Sequence, residues 1–278
     1  MRYHHSKHAG NFGDVIKHVI HVQILNFLTK QPLKVVYLES HSGPGLLSLN
    51  NCINAKYHNG IGKIWQYKQD EKSPLPVALQ QYFQYIKNIN PTNQLKTYPG
   101  SPLLAQKILD KSAELKLFEL CESTYTNLVN LTSKDNHVTC ICSDGFKGVI
   151  EEPIDKHLQA YLLIDPPYKN DDEYKQATNT FIKFHRRHPN ALVALWYPLK
   201  NQKKIERLKQ DLKASVSKPL ELFEIAIKTS KKEVMRGAGM IVVNSPVHLY
   251  TEMQTSLPLI SKILGNSEAN HYHLQTIN

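Results

Sequence analysis

Short apolar runs that alternate with helix-compatible segments most constrain how this chain of 278 residues can fold. Each run is rich in Val, Ile, Leu or aromatic residues and has the length of a buried β-strand. These seven runs occupy residues 34–40, 115–119, 138–142, 161–164, 191–196, 222–228 and 240–243. Continuous apolar strands separated by helices predict a mostly parallel, seven-stranded sheet covered on both faces, which is an α/β, Rossmann-like architecture.

Acidic residues follow four consecutive strands of the predicted sheet. They are Glu39, Glu119, Asp144 and Asp165. Ligands of doubly wound sheets bind beyond the carboxyl ends of the strands, so these side chains should lie around one ligand. Glu119, after the second strand, is placed to accept hydrogen bonds from ribose hydroxyls, and Asp144, after the third, could accept from an adenine amino group. The pattern predicts an adenosine-binding edge.

The turn after the first strand, HSGPG at 41–45, indicates which adenosine compound would bind. It lacks the GK[ST] ending of a phosphate-binding P-loop and the full G-x-G-x-x-G pattern. No Lys or Arg stands near the turn to meet a pyrophosphate. A dehydrogenase is also disfavoured, because its ribose-binding acid should follow about 20 residues on, whereas Glu119 comes far later. An adenosyl cofactor without phosphate fits better.

The fourth strand ends in the most specific motif of the chain, DPPY at 165–168. Prolines lack the N–H that would continue a strand, and each restricts the residue before it to extended conformations. Asp165 and Pro166 therefore form a rigid tip with a carboxylate and a fixed carbonyl. These two acceptors can bind the two hydrogens of an adenine amino group, while Tyr168 stacks on the base. The base would have to leave its own stack to reach them.

The segment from residue 50 to 97 differs in character from the rest of the chain. It contains one amphipathic helix around 79–86 and polar stretches punctuated by proline. We predict an inserted helical subdomain at 50–97, within a main domain of residues 1–49 and 98–278. After it, Ser101 is expected to cap a helix with Pro102 in the first position. The residues after 265 are expected to form a loose tail.

A net charge of +10 favours a polyanionic partner, most simply nucleic acid, although a basic soluble protein without one has the same composition. Basic residues concentrate at 200–213 and 228–236. The second cluster, with Lys231, Lys232 and Arg236, lies between two strands, and we expect these three side chains to contact the phosphates of a nucleic-acid substrate.

The N-terminus has no apolar signal-peptide core, and the four cysteines form no CxxC pair. Both features favour a reducing cytoplasm, with no membrane association and no disulfides. The histidine cluster at 4, 5 and 8 has no spaced carboxylate or cysteine partner, so no metal is expected. We also expect a monomer without an obligate protein partner.

The motifs occur in an order that resembles one known family. DPPY is the signature of amino-directed S-adenosyl-L-methionine methyltransferases. The segments YHHSKHAGNFGDVIKH, YLESHSGPG, YPGSP, FELCESTY, DGF, LLIDPPY, ALWYP and GAGMIVVNSP together resemble the bacterial RlmJ family. The resemblance implies a class I methyltransferase fold with an inserted helical subdomain, and adenine-N6 methylation of 23S ribosomal RNA.

The resemblance also assigns roles to individual residues. It implies cofactor contacts at His18, His41, Ser101, Glu119, Asp144, Gly145 and Asp165. It makes Asp165 the catalytic aspartate and places Tyr3 against the substrate RNA. Two departures, the S-G-P-G turn and Glu39 in place of a more usual aspartate, leave the fine geometry of that turn open.

Two other functions remain open at this point. DPPY does not distinguish RNA from DNA, so a DNA adenine-N6 methyltransferase is the first alternative. The second is a catalytically silent, basic RNA-binding protein that keeps the fold. Detection of methyl transfer would exclude the non-catalytic RNA-binding protein. A comparison of activity on protein-free 23S ribosomal RNA and on duplex DNA would distinguish the RNA methyltransferase from the DNA methyltransferase.

Overall fold

A computed structural model describes residues 9–49, 56–70, 73–227, 235–265 and 272–277. Within these ranges, eight strands form one sheet in the order β10-β8-β9-β7-β6-β1-β4-β5. They are β1 (Val35–Glu39), β4 (Glu114–Phe118), β5 (Val138–Ile141), β6 (Gln159–Ile164), β7 (Leu192–Pro198), β8 (Leu220–Ala226), β9 (Gly237–Val243) and β10 (Tyr272–Ile277). The strands from β5 to β7 are all parallel, and β9 is antiparallel to both β7 and β8.

Successive residues of each strand point to opposite faces of the sheet, so a continuous apolar strand has apolar side chains on both faces. Helices cover both of these faces. The helices are α1 (Phe12–Leu28), α2 (Ile61–Asp70), α3 (Val77–Ile89), α4 (Ser101–Ile108), α5 (Glu122–Thr132), α6 (Gly145–Glu151), α7 (Asp172–Arg187), α8 (Gln202–Ser215) and α9 (Leu249–Gly265). Tyr37 on β1 belongs to a hydrophobic cluster with α1, α3 and α9. Its neighbour Leu38 belongs to a second cluster with α7 and α8. The predicted mostly parallel α/β fold is confirmed, but the predicted count of seven strands is wrong, because residues 272–277 add an eighth strand at the edge of the sheet.

Helix α1 begins where the sequence provides a cap. The Asn11 side chain accepts hydrogen bonds from the backbone N–H groups of Gly13 (2.7 Å) and Asp14 (3.0 Å). Asp14 in the first turn also complements the positive end of the helix dipole. The helix is buried on nearly every side, including at Lys17, His18 and His21. Polar side chains at buried positions of an apolar helix need partners, and they find them at the candidate site.

The predicted loose tail after residue 265 is wrong for residues 272–277. These residues form β10, which pairs antiparallel with β8 from Tyr272 opposite Ile225 to Ile277 opposite Leu220. The strand is mostly exposed, and its three apolar residues, Tyr272, Leu274 and Ile277, do not alternate strictly, so hydrophobic periodicity does not reveal it. Its stability comes from backbone hydrogen bonds to the edge of the sheet.

The segment predicted as a subdomain leaves and re-enters the main sheet domain at one place. Strand β2 (Leu46–Ser48) precedes the segment and pairs antiparallel with β3 (Thr97–Pro99), with Leu46 opposite Pro99. Between them lie a short 3-10 helix (Lys56–Asn59), α2 and α3. Their apolar side chains join the same cluster as α1. This closed entry and exit supports the proposal that 50–97 is an inserted subdomain.

No helix in the described ranges is both long enough and apolar enough to cross a membrane.

Candidate active site

The carboxyl ends of β5, β4, β1 and β6 lie side by side, since these strands are neighbours and parallel. The four acidic residues predicted from the sequence therefore stand along one edge of the sheet. The chain crosses this edge tightly at Gly145, where a Cβ atom would lie 1.7 Å from the carbonyl oxygen of Ser40. Only glycine allows the loop after β5 to approach the end of β1 this closely.

The glycine turn after β1 is fixed by Glu119. Gly43 and Gly45 have φ values of 65° and 77°, in the left-handed region that glycine favours. The Glu119 carboxylate, 7% exposed, accepts from the backbone N–H of Gly43 (3.0 Å) and from that of Cys121 (2.8 Å). Each carboxylate oxygen retains a further acceptor site. Glu119 thus joins the ends of β1 and β4 and can still accept hydrogen bonds from ribose hydroxyls.

Glu39 lies beneath this turn, fully buried. The hydroxyl of Tyr37 donates to its carboxylate at 2.7 Å, and Ser101 donates to its other oxygen. Burial raises the pKa of the Glu39 carboxyl to about 8, and the two hydrogen bonds partly oppose that rise. The prediction that Ser101 caps α4 is wrong: Gly100 occupies the cap position and Ser101 is the first helical residue, so that its hydroxyl is directed to Glu39. The Ser101 oxygen can still accept a hydrogen bond from a ligand amino group.

Asp144 and His41 flank the turn on the side of β5. Asp144 caps α6 by accepting from the backbone N–H of Phe146 at 2.9 Å, through one carboxylate oxygen. The His41 ring meets the Phe146 ring edge to face, with centroids 4.6 Å apart, and its Nδ1 lies 2.9 Å from the Ser40 hydroxyl. These two predicted cofactor residues therefore lie next to each other, around Phe146.

Asp165, at the tip after β6, is held by Lys17 of α1. The Lys17 ammonium lies 2.5 Å from Asp165 Oδ2 and 2.9 Å from Asp14 Oδ1. Burial alone would lower the pKa of Lys17, but the two carboxylates outweigh it and raise the pKa above its ordinary value. A buried ammonium between two carboxylates fixes the position of Asp165 relative to α1.

Lys17 was missed by the sequence-based prediction. The sequence did contain a signal for its ion pair with Asp14, because Lys17 lies three residues after Asp14 within a mostly apolar helix. Its second partner, Asp165, is 148 positions away, and only the folded chain shows that pair.

The aromatic residue of the tip is more deeply buried than its predicted stacking role suggests. Tyr168 is only 6% exposed, and its hydroxyl donates to the Trp196 carbonyl at 2.7 Å. Its φ of 48° is unusual for a residue with a side chain, so the surrounding contacts hold a strained backbone. The ring of Tyr174 lies 4.5 Å away, centroid to centroid. Base stacking on Tyr168 stays a prediction and would use the small part of the ring that remains exposed.

Two neutral histidines of α1 complete the buried side of the site. His18 Nδ1 lies 2.7 Å from the Tyr98 hydroxyl, while its buried Nε2 has no hydrogen-bond partner among the residues that the structure describes. Burial, then Lys17 and His21, lower the pKa of His18 well below its usual value. Burial lowers the pKa of His21 to about 3, so its Nε2–H donates to the Ser101 carbonyl (3.2 Å) and its Nδ1 accepts from Tyr161 (2.8 Å). The unpaired nitrogen of His18 fits a residue that completes its hydrogen bonding with a ligand.

The remaining predicted contacts are at the edge of the described structure or beyond it. Tyr3, Lys231 and Lys232 lie outside the described residues, as do the three histidines near the N-terminus. Arg236 is exposed at the start of β9, and its backbone N–H donates to the Leu199 carbonyl at 3.0 Å. It therefore lies next to the turn between β7 and α8.

The topology and this edge define a class I, S-adenosyl-L-methionine-dependent methyltransferase. Carboxylate side chains lie around the glycine turn at this edge, which agrees with the predicted adenosyl cofactor. The chain belongs to the family described as Ribosomal RNA large subunit methyltransferase D, RlmJ, whose model matches residues 32–277.

Individual relatives agree with this membership. The chain is 34% identical over 269 residues to Ribosomal RNA large subunit methyltransferase J of Haemophilus influenzae, covering 95% of this chain and 94% of the relative. It is 32% identical over 275 residues to the Escherichia coli protein of the same name, covering 98% and 96%. A crystal structure of a Legionella pneumophila protein superposes with a TM-score of 0.89 at 28% identity, covering 98% of this chain and 99% of the other. The resemblance seen in the sequence motifs is confirmed.

Proposed function

We propose that this protein transfers a methyl group from S-adenosyl-L-methionine to the N6 amino group of one adenine in 23S ribosomal RNA. Family membership supports ribosomal RNA as the substrate, since both curated relatives are named for it. The observation that carries the adenine assignment is the tip after β6. Lys17 holds the Asp165 carboxylate in place there, and the two prolines that follow restrict the backbone that carries the Pro166 carbonyl.

Cofactor binding is assigned to the edge formed by β1, β4, β5 and β6. Glu119 would bind the ribose hydroxyls and Asp144 the adenine amino group of the cofactor. The other cofactor contacts in this proposal are His18, His41, Ser101, Gly145 and Asp165. Bound there, S-adenosyl-L-methionine supplies an electrophilic methyl group. The unpaired His18 Nε2 and the remaining acceptor sites of Glu119, Asp144 and Ser101 support this arrangement.

The protein side of the reaction is hydrogen bonding and positioning. The lone pair of an adenine amino nitrogen is delocalised into the ring, which makes it a weak nucleophile. Asp165 and the Pro166 carbonyl each accept one N–H and favour a pyramidal nitrogen whose lone pair points at the methyl carbon. Formation of the N–C bond would break the sulfur–methyl bond of the cofactor and release S-adenosyl-L-homocysteine. The Asp165 carboxylate would stabilise the positive charge that develops on the nitrogen, and loss of one amino proton to solvent would then neutralise the product. In this proposal, Tyr168 stacks on the target adenine and Tyr3 contacts the substrate RNA.

Mass-spectrometric mapping of N6-methyladenine in 23S ribosomal RNA, with and without this gene, tests the proposal. Loss of one methylated adenine on deletion, and its return on complementation, is expected. Purified protein should methylate a protein-free 23S transcript in preference to duplex DNA. Preference for duplex DNA would favour a DNA methyltransferase, and binding without transfer would favour a silent RNA-binding protein.

Replacing Glu119 with alanine should weaken S-adenosyl-L-methionine binding more than it slows saturated turnover. Loss of hydrogen bonds to a charged acceptor costs about 1.5–3 kcal/mol, or roughly ten- to hundredfold in Kd. Calorimetry measures the affinity, and the matched control is Glu122→Ala, which removes an exposed acid in the first turn of α5. Unchanged affinity in Glu119→Ala would remove this residue from the ribose role.

The basic loop at 228–236 should contribute phosphate contacts that do not depend on base sequence. Replacing Lys231, Lys232 and Arg236 together with glutamine should weaken binding to all RNAs and flatten its salt dependence. The slope of log K against log salt should fall by roughly 0.7 for each lost contact to single-stranded RNA. Filter binding at several salt concentrations provides the slope, and an unchanged slope would place the loop outside the RNA-binding surface.

A cytoplasmic location and a monomeric state remain predictions from the sequence.

A further inference from the structure

A cavity of about 390 Å³ opens beside the candidate active site. One wall is formed by Tyr168, Lys169 and Tyr174, and the other by residues 200–203 at the start of α8. Because Tyr168 ends the DPPY motif, the cavity begins three residues after Asp165. Its size is within the range of small-ligand sites, at the lower end.

The cavity lies on the side of Asp165 away from the proposed cofactor residues. In the sheet, β1, β4 and β5 are on one side of β6, and β7 is on the other. His41, Glu119 and Asp144 follow β1, β4 and β5, whereas the cavity lies beyond the ends of β6 and β7. The cavity is therefore placed for the methyl acceptor and not for the methyl donor.

Two buried tyrosines make one wall rigid. The Tyr174 hydroxyl donates to the Pro198 carbonyl at 3.2 Å, and the Tyr168 hydroxyl is bound to Trp196 on the same strand. Since both hydroxyls are committed to β7 and the rings pack together, the wall is already formed without a ligand. A preformed wall binds at a lower entropic cost.

The charge around the cavity is positive. Three lysines, Lys169, Lys200 and Lys203, line it with a single carboxylate, Asp171. Lys200 and Lys203 are exposed, and across the part of the chain that the structure describes neither forms an ion pair with a carboxylate. Arg236 lies close in the fold to this segment, since its backbone N–H donates to the Leu199 carbonyl. The site therefore favours an anionic group.

We propose that this cavity binds the phosphodiester group of the nucleotide next to the target adenosine. The proposal rests on the proposed function and adds a binding subsite to it. An adenine that leaves its stack to reach Asp165 brings its flanking phosphates to the mouth of the site. Lysine ammonium groups bind phosphate as point charges, and such contacts fix the register of the RNA without reading its sequence. Lys200 and Lys203 thus position the adenosine.

A coupling experiment tests this contact directly. The substrate is a synthetic RNA around the mapped adenine, with one flanking linkage at a time replaced by a neutral methylphosphonate. The variant is Lys200→Gln/Lys203→Gln. Its matched control, Lys107→Gln/Lys111→Gln, removes two exposed lysines at the opposite edge of the sheet. Thermal melting and S-adenosyl-L-methionine affinity should be unchanged in both variants.

We expect one methylphosphonate to lower kcat/KM of the natural protein about tenfold, as for loss of a charge-assisted contact. The Lys200/Lys203 variant should show a similar loss on unmodified RNA and little further loss with that methylphosphonate. The control variant should behave like the natural protein. The subsite would be overturned if the losses from the lysine variant and from the methylphosphonate added fully, or if neither methylphosphonate lowered kcat/KM. Either result would leave the proposed adenine methylation intact. A natural protein that fails to methylate the unmodified RNA would instead overturn the proposed function and the subsite with it.

Discussion

Asp165→Ala is expected to lower the rate of methyl transfer by roughly 10²–10³, the usual effect of removing one preorganised transition-state contact. The carboxylate accepts one N–H of the amino group and stabilises the charge that develops on nitrogen. The fold should survive, because Lys17 keeps Asp14 as a partner at 2.9 Å. Single-turnover kinetics with saturating cofactor measures the chemical step.

The control for this experiment is Asp172→Ala, which removes an exposed carboxylate near the same tip. Its rate should stay within a few-fold of the natural protein. Asp165→Asn is informative as well, since it keeps one acceptor oxygen in a side chain of similar shape, loses the charge and replaces the other oxygen with an NH2 donor. Near-natural turnover in Asp165→Ala, with an unchanged melting temperature, would exclude the proposed mechanism.

The parts of this molecule that the sequence predicted are those set by local pattern. Buried parallel strands are nearly continuous apolar runs, so their positions and ends can be read directly. A carboxylate after a strand then has a known place in space, which is why Glu119, Asp144 and Asp165 could be assigned to one edge. Two prolines after Asp165 restrict the backbone by sterics alone.

The parts that were missed depend on distant partners. Strand β10 is mostly exposed, mixes polar with apolar residues without strict alternation, and forms because it can pair with the edge of β8. Ser101 has the sequence context of a helix cap, yet the buried carboxylate of Glu39 takes its hydroxyl. The burial of Tyr168 was not predicted either, since the Trp196 carbonyl that accepts from its hydroxyl lies on another strand, while its stacking role stays a prediction. In each case a tertiary contact decided between local alternatives.

Lys17 is the missed residue with the largest expected consequence. Replacing it with methionine keeps much of the side-chain volume but leaves Asp14 and Asp165 without the ammonium between them. Removing one partner of a buried ion pair leaves uncompensated charge, and we expect a loss of about 3 kcal/mol in the free energy of unfolding. Denaturant unfolding measures this loss.

A merely structural role for Lys17 can be separated from a positioning role with a second variant. Lys17→Met/Asp14→Asn removes one of the two facing carboxylates, while the introduced amide oxygen can still accept from the Gly10 N–H that Asp14 binds at 2.9 Å. Stability should largely return in this double variant, because a single carboxylate with access to water replaces a repelling pair. Turnover should stay low, with a reduced kcat at saturating S-adenosyl-L-methionine, because nothing then holds Asp165 at the position of the amino group. If stability and kcat recover together, Lys17 only supports the fold, and the geometry of Asp165 does not depend on it.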